Sequence, residues 1–419
     1  MRRITRRSFA AGSAAALTGV AGSANARAEE FRRRHTPADG AGGDGDEGRD
    51  VRGMWIATVA NRDWPGTAGA APEEQQAELT AHLDHACRRR LNTVYFQVRP
   101  AADALWPSPH EPWSQWLTGT QGKAPGWDPL GFVVREAHRR DLEVEAWFNP
   151  YRVALHDDPG KLTSGHPARR HPGWVVPYGG KLYYNPGLPQ VRRFVQDAML
   201  DAVARYDIDG VHWDDYFYPY PVPGETFDDR AAYDEHGQGF PDVAAWRRHN
   251  IDLLVQEAAR RIRRIKPSLR FGISPFGVWR NESADPAGSQ TSAQVQTYDD
   301  LHADTRKWVR EGWIDYVMPQ LYWHIGFGDA DYAELAPWWA ETVRGTRTRL
   351  HIGEALYRAG DPAQPAPWQD PAELSRHLTL CRELPEVRGH VFFSAKEVGE
   401  DRSGAMDRVV TDHYRARRK

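Results

Sequence analysis

The sequence predicts a single (β/α)8 barrel with long loops at one end, and three observations carry that prediction. Eight short β-like runs alternate with helical patterns from residue 51 onward. No second block of different character interrupts the alternation, which is the pattern of a parallel sheet closed by crossover helices. Polar and aromatic residues gather just after the runs, while the starts of the runs are plainer. In such barrels the chemistry sits at the C-terminal strand ends. A doubly wound open sheet is the competing architecture, but the Gly-rich phosphate loop that should follow its first strand is missing from this sequence.

The runs are VRGMWIATV (51–59), TVYFQV (93–98), EVEAWFN (143–149), DGVHWDD (209–215), LRFGISPFG (269–277), IDYVMPQLYW (314–323), RLHIGEALY (349–357) and GHVFFSA (389–395). Apolar spacing and end signals predict helices over 73–90, 128–140, 188–206, 242–266, 299–311, 331–345, 371–384 and 404–416. Long connections after the second, third, fourth and fifth runs are sufficient to wall a cleft.

The start of the 419-residue chain is not expected to belong to this barrel. Residues 1–28 place basic residues first, then an Ala-rich run, then small residues at Ala24, Ala26 and Ala28, the order of an export signal. Arg6 and Arg7, flanked by Thr5 and by Ser8 and Phe9, resemble the twin-arginine variety, and a secreted product follows. The apolar run is too short and too rich in Ala and Gly for a stable membrane anchor, and no Cys near the cleavage region offers a lipid site. Residues 29–50 are polar, Gly-rich and without periodicity, as a flexible leader is; the barrel takes 51–419.

Net charge is −3, which gives no basic field to hold nucleic acid. Cys87 and Cys381, each in a helical pattern, read as two buried thiols rather than a disulfide, and no zinc spacing or H-E-x-x-H pattern is present. No motif calls for a metal or a cofactor. Against 5 Met there are 17 Trp, many at strand ends; Trp-rich clefts suit sugar rings, and large-ring core packing is the competing use.

The fourth run leads into DGVHWDDYFYPY (209–220), the most informative stretch. Alternation puts His212 and Asp214 on one face and Val211 and Trp213 on the other. The apolar pair should pack under helices, which aims Asp214 into the barrel mouth with Asp215 at the strand end. Two adjacent carboxylates in a partly dry cleft cannot both ionise cheaply, so one pKa rises. One protonated and one ionised carboxyl is what glycosidic-bond cleavage requires. The plainer alternative is an Asp that caps a turn or pairs with Arg152. Arg99 and Arg152 either clamp a substrate carboxylate or pair with barrel acids. Asn149 and Gln320 are placed for hydroxyl or acetamido hydrogen bonds, and Tyr322 shares the alternation of Gln320. His212 either orients Asp214 or is a core histidine. Trp55, Tyr151, Tyr216, Tyr218, Trp279 and Trp323 are candidate sugar platforms, and Lys396 a candidate anion contact.

Several stretches together resemble the glycosyl-hydrolase-like family ten: RGMWIATVANRDWP (52–65), VYFQVRPAADALWPS (94–108), AWFNPYR (146–152), DGVHWDDYFYPY (209–220), FGISPFGVWRN (271–281), YDDLHADTRKWVREGWIDYVMPQLYW (298–323) and FFSAKEV (392–398). The resemblance covers nearly all of the chain after the leader. It implies a barrel hydrolase of envelope or extracellular polysaccharide, and for bacterial relatives the glycan strand of peptidoglycan. Asp209, Gly210 and Asp214 are also similar to the D-G-x-x-x-D of α-amylase barrels and of chitinase-type barrels. Departures limit the carry-over: the chitinase-type Glu falls at Tyr216, and the fifth-strand SPFG lacks the amylase acid. The acid/base partner stays open between Asp215, Glu354 and Glu397. The resulting expectation is a secreted glycoside hydrolase of wall glycan; the rivals are a glycan-binding barrel without catalysis and a hydrolase of another polysaccharide.

Overall fold

A computed structural model describes residues 50–414. Eight parallel strands close into a barrel: β1 (Val51–Ile56), β2 (Thr93–Arg99), β3 (Glu143–Phe148), β7 (Gly210–Trp213), β8 (Arg270–Ile273), β9 (Tyr316–Val317), β10 (Arg349–Glu354) and β11 (Val387–Phe392). Each pairs with its neighbours in the sequence order of the barrel, and β11 closes on β1. The helices Pro72–Arg88, Pro129–His138, Pro189–Arg205, Val243–Ile265, Thr305–Arg310, Tyr332–Val343, Glu373–Cys381 and Ala405–His413 follow the eight strands in turn. Their starts obey local chemistry. Pro opens the first three, where its missing N–H is no loss. Asp128, Asp242, Asp304 and Asp331 each accept a backbone N–H of the first turn.

Both faces of the strands are buried, and the side chains sort by parity. Met54, Ile56, Val144, Ala146, Phe148, Val211 and Trp213 face the helix layer in the large outer core. Trp55, Tyr95, Trp147, Tyr316, Met318 and Val391 fill the barrel interior. Interior space is made by small residues opposite large ones: a Cβ at Gly210 would stand 2.4 Å from the Glu145 carboxyl carbon. β9 is only two residues long, because Pro319 has no N–H to continue the ladder. The register carries on through isolated bridges from Gln320 to Phe276 and Gly353.

One layer was not expected from the sequence. The connection after β3 holds a three-stranded antiparallel sheet, β4 (Arg152–Ala154), β5 (Val175–Tyr178) and β6 (Lys181–Tyr184), in the order β4-β6-β5. The β5–β6 turn is Gly179-Gly180, both with positive φ, as a two-residue hairpin of the primed type demands. Both cysteines are free, but only Cys381 is buried; Cys87 lies exposed on its helix, which corrects the expectation of two buried thiols. Among the described residues, no helix is long and apolar enough to cross a membrane and no cluster of His, Cys, Asp or Glu is arranged to hold a metal ion.

Candidate active site

The end of β7 delivers Asp214 and Asp215 to the C-terminal face, both buried. Asp214 accepts hydrogen bonds from Trp147 Nε1 at 3.2 Å, from Asn149 Nδ2, and from the backbone N–H of Tyr216 at 3.3 Å. Asp215 accepts from the Tyr220 hydroxyl and from Gln320 Nε2 at 3.1 Å. The two carboxylates therefore have separate donor sets, one inside the barrel and one at its rim.

A directed chain of amides sets the orientation of Asn149. The backbone N–H groups of Thr58 and Val59 donate to Gln97 Oε1 at 2.8 and 2.9 Å. Gln97 Nε2 must then donate onward, and it does so to Asn149 Oδ1 at 2.6 Å. That leaves Asn149 Nδ2 no role except donor to Asp214.

Burial raises the pKa of both carboxyls. For Asp214 the charge of Asp215 adds to burial, outweighing Arg152, the Tyr216 N–H and Asn149, and the group is pushed up to about 7. For Asp215 burial again raises it, against the lowering effect of Tyr220 and Gln320. Close carboxyls titrate as a unit, so burial and mutual repulsion make the pair hold on to a proton well above the ordinary carboxylate range. Arg152 is the nearby cation: it donates Nε to the Pro100 carbonyl at 2.9 Å and lies over the Tyr216 ring at 4.9 Å.

Beside the pair runs a cleft of about 390 Å³ whose walls include Tyr220, Phe276, Gln320, Tyr322, Trp323 and Phe327. Trp323 stands edge-on to Phe276, with ring centroids 5.3 Å apart, and both are half-buried, which leaves aromatic surface open to a ligand. Tyr220 and Gln320 touch both Asp215 and the cleft, so the cleft adjoins the carboxylate pair. Asp214, Asp215, Asn149, Arg152, Tyr216, Gln320, Tyr322 and Trp323 are thus brought to one region.

The other sequence candidates lie elsewhere. Glu354 points outward from β10, into the helix layer, and accepts from the Tyr332 hydroxyl at 2.8 Å and from Nδ1 of His377 and of His390, each at 2.9 Å. Burial acts to raise its pKa, but the charge and hydrogen bonds of the two histidines outweigh it and hold it at about 2. A carboxylate so held, on the far side of the strand, has no proton to give to a ligand in the mouth. Glu397 is likewise engaged, by Arg62 at 2.8 Å and by Ser394 as a helix capping box.

Arg99 is fully buried in a two-pronged ion pair with Glu111 (2.6 and 2.5 Å), so it clamps a loop and not a ligand. His212 accepts from Trp55 Nε1 at 3.0 Å. Its Nδ1 lies 2.8 Å from the Tyr316 hydroxyl, which donates to Glu145, so Nδ1 carries the proton. Burial pushes this imidazole down to about 3, and it is a neutral core histidine that does not touch Asp214. Trp55 fills the barrel interior, and Tyr151 is fully buried in the outer core. Tyr218 is buried with its hydroxyl on Asp229 at 3.2 Å, and Trp279 is buried with its indole N–H on Asp304. None of these four offers a face to a sugar. Lys396 is solvent-exposed beside Glu400 at 4.0 Å.

Trp147, Gln97, Tyr220 and Phe276 belong to the site without being among the sequence candidates. Two of these were within reach of the alternation rule: Trp147 is in phase with Asn149, and Gln97 with the inward Tyr95. Tyr220 and Phe276 sit beyond strand ends, where parity gives no direction.

Comparison with known proteins bears on the family and on the barrel. A family model described as glycosyl hydrolase-like 10 matches residues 50–370. The chain is 48% identical over 368 residues to "Glycosyl hydrolase YngK" of Bacillus subtilis (strain 168), covering 87% of this chain and 72% of the relative. It is 41% identical over 363 residues to "Glycosyl hydrolase DigH" of Escherichia coli (strain K12), covering 82% of each. Among solved structures, the glycoside hydrolase domain of PgaB (BpsB) from Bordetella bronchiseptica aligns with a TM-score of 0.53 at 13% identity, covering 86% of this chain and 99% of that one. That likeness bears on the barrel alone. A family match over most of the folded region, together with relatives at this identity, places the chain in the glycosyl hydrolase-like 10 family.

Proposed function

We propose that this protein is a secreted glycoside hydrolase that cleaves a bacterial wall glycan, the peptidoglycan strand, by means of Asp214 and Asp215. The observation that carries the reading is the buried pair of adjacent carboxyls, both raised in pKa by burial, beside an aromatic cleft. The protonated member gives its proton to the glycosidic oxygen as the C–O bond breaks. The ionised member stabilises positive charge at the anomeric carbon, either directly or by orienting the neighbouring acetamido group of an N-acetylated sugar. Water then adds to the anomeric carbon, and the pair regains its proton. Export rests on Arg6 and Arg7, which lie outside the described residues.

Digestion of purified glycan strands, with and without stem peptides, with products identified by mass, tests the proposal. Cleaved oligosaccharides are the expected result. Retention on wall material with no product from either form would instead favour a binding module.

The roles within the pair separate on an activated aryl glycoside, whose leaving group needs no proton. The variant of the acid member should recover rate on that substrate, and the variant of its partner should not.

A further inference from the structure

We infer that Arg358 binds a sugar carboxylate in the cleft and so selects glycans that carry one. Arg358 ends the 3-10 turn Leu356–Arg358 just past β10, at the C-terminal face, and lines the same cleft as Trp323 and Gln320. Two of its nitrogens are fixed: Nε donates to the Tyr357 hydroxyl at 3.0 Å and Nη1 to Gln364 Oε1 at 2.6 Å. Among the described residues, Nη2 has no hydrogen-bond partner and no carboxylate pairs with the guanidinium. By contrast, Arg62 pairs with Asp63 and Glu397, Arg376 with Asp370 and Glu373, and Arg402 with Glu397. Asp329, the acidic residue in the same cleft wall, accepts from the Ser292 hydroxyl at 3.0 Å instead.

Arg358 is half-buried, and the edge of its guanidinium that carries Nη2 is left for an anion entering the cleft. The planar guanidinium, held by its other nitrogens, suits a carboxylate rather than a neutral hydroxyl. The aromatic walls supply sugar stacking, so the ligand is a glycan with a carboxylate, either a lactyl ether on a hexosamine or the ring carboxylate of a uronic acid. The identity of the glycan rests on the function proposed above; the carboxylate contact does not.

Binding is measured by calorimetry in the Asp214→Asn background, so that strands persist, with and without Arg358→Gln or Arg358→Lys. The probes are wall-glycan oligosaccharides with a free lactyl carboxylate, the same oligosaccharides with that group reduced to the alcohol, and an oligosaccharide alternating N-acetylglucosamine with a uronic acid. With Arg358 intact, a carboxylate form should bind about ten- to a hundredfold more tightly than the alcohol. That ratio should collapse in Arg358→Gln and partly survive in Arg358→Lys, and whichever acid shows it identifies the carboxylate. An unchanged ratio in Arg358→Gln, no preference with Arg358 intact, or no binding of any probe would overturn the inference. An Arg358-dependent preference in a protein whose wild type cleaves none of the probes would leave this inference standing and remove the wall-glycan hydrolase reading.

Discussion

At the residue scale, the burial of the Asp214–Asp215 pair costs stability once both carboxyls ionise. Asp214 is held near 7 against an ordinary 3.8, so between those values the folded protein keeps a proton that the unfolded chain has lost. Stability contributed by this group therefore falls as pH rises across that window, and the cost is fully present above 7. Asp214→Asn removes the repulsion while keeping size. It should raise the melting temperature at pH 8, by on the order of 1 kcal/mol of stability, and cost at least about a hundredfold in turnover. Unaltered turnover, or a lower melting temperature at pH 8, would count against this account of the pair. The amide chain gives a second expectation. In Gln97→Glu nothing donates to Asn149 Oδ1, so Asn149 turns and Asp214 loses a donor. Its pKa should climb further, moving the alkaline limb of the pH–rate profile upward, with a fall in turnover of about tenfold. A profile identical to wild type would show that the chain does not set Asn149. Legibility at this scale followed parity. Asp214 and Asn149 were readable because alternation holds on their strands. Glu354 misled because a carboxylate at a strand end looks the same from sequence whether it faces the mouth or, one position out of phase, the helix layer.

At the scale of elements, the strands and helices were largely readable because each carries an unmistakable period or cap. The exceptions have local causes. The run 314–323 reads as one long strand, yet Pro319 confines the ladder to Tyr316–Val317. The β4–β6 sheet is built from three- and four-residue strands, too short to show alternation, although Gly179-Gly180 between VVPY and KLYY is a hairpin signature in its own right. The outward face of β10 offers a test of the reassigned Glu354. Its pKa is about 2 against an ordinary 4.5, so its stabilising contribution is present above 4.5 and lost as pH falls through 2. Glu354→Gln leaves His377 facing only Glu373 and should cost about 3 kcal/mol in urea unfolding at neutral pH. The folded fraction should retain its catalytic pH profile. A stable variant without turnover would return Glu354 to the list of catalytic acids.

At the scale of the whole molecule, a barrel core buried on both faces of its strands leaves the C-terminal loops free to differ in shape and chemistry. The 17 Trp divide accordingly. Trp55, Trp147 and Trp213 build the core, whereas Trp323 walls the cleft. Composition announced aromatic richness but not that division, which depends on where each loop turns. Trp323→Ala should weaken glycan binding by about 1 kcal/mol, read by pull-down on purified sacculi, while the melting temperature moves little. Changing Arg6 and Arg7 together to Lys should strand the precursor inside the cell with its fold intact; normal secretion of that variant would favour ordinary secretory export.

The most direct measurement of the central claim is reducing-end release from denuded wall glycan by wild type, Asp214→Asn and Asp215→Asn across a pH series. The account predicts release by wild type that declines as pH rises through about 7, and at least about a hundredfold less from either variant. Undiminished release by both variants, or none by a wild type that still binds the glycan, would contradict it.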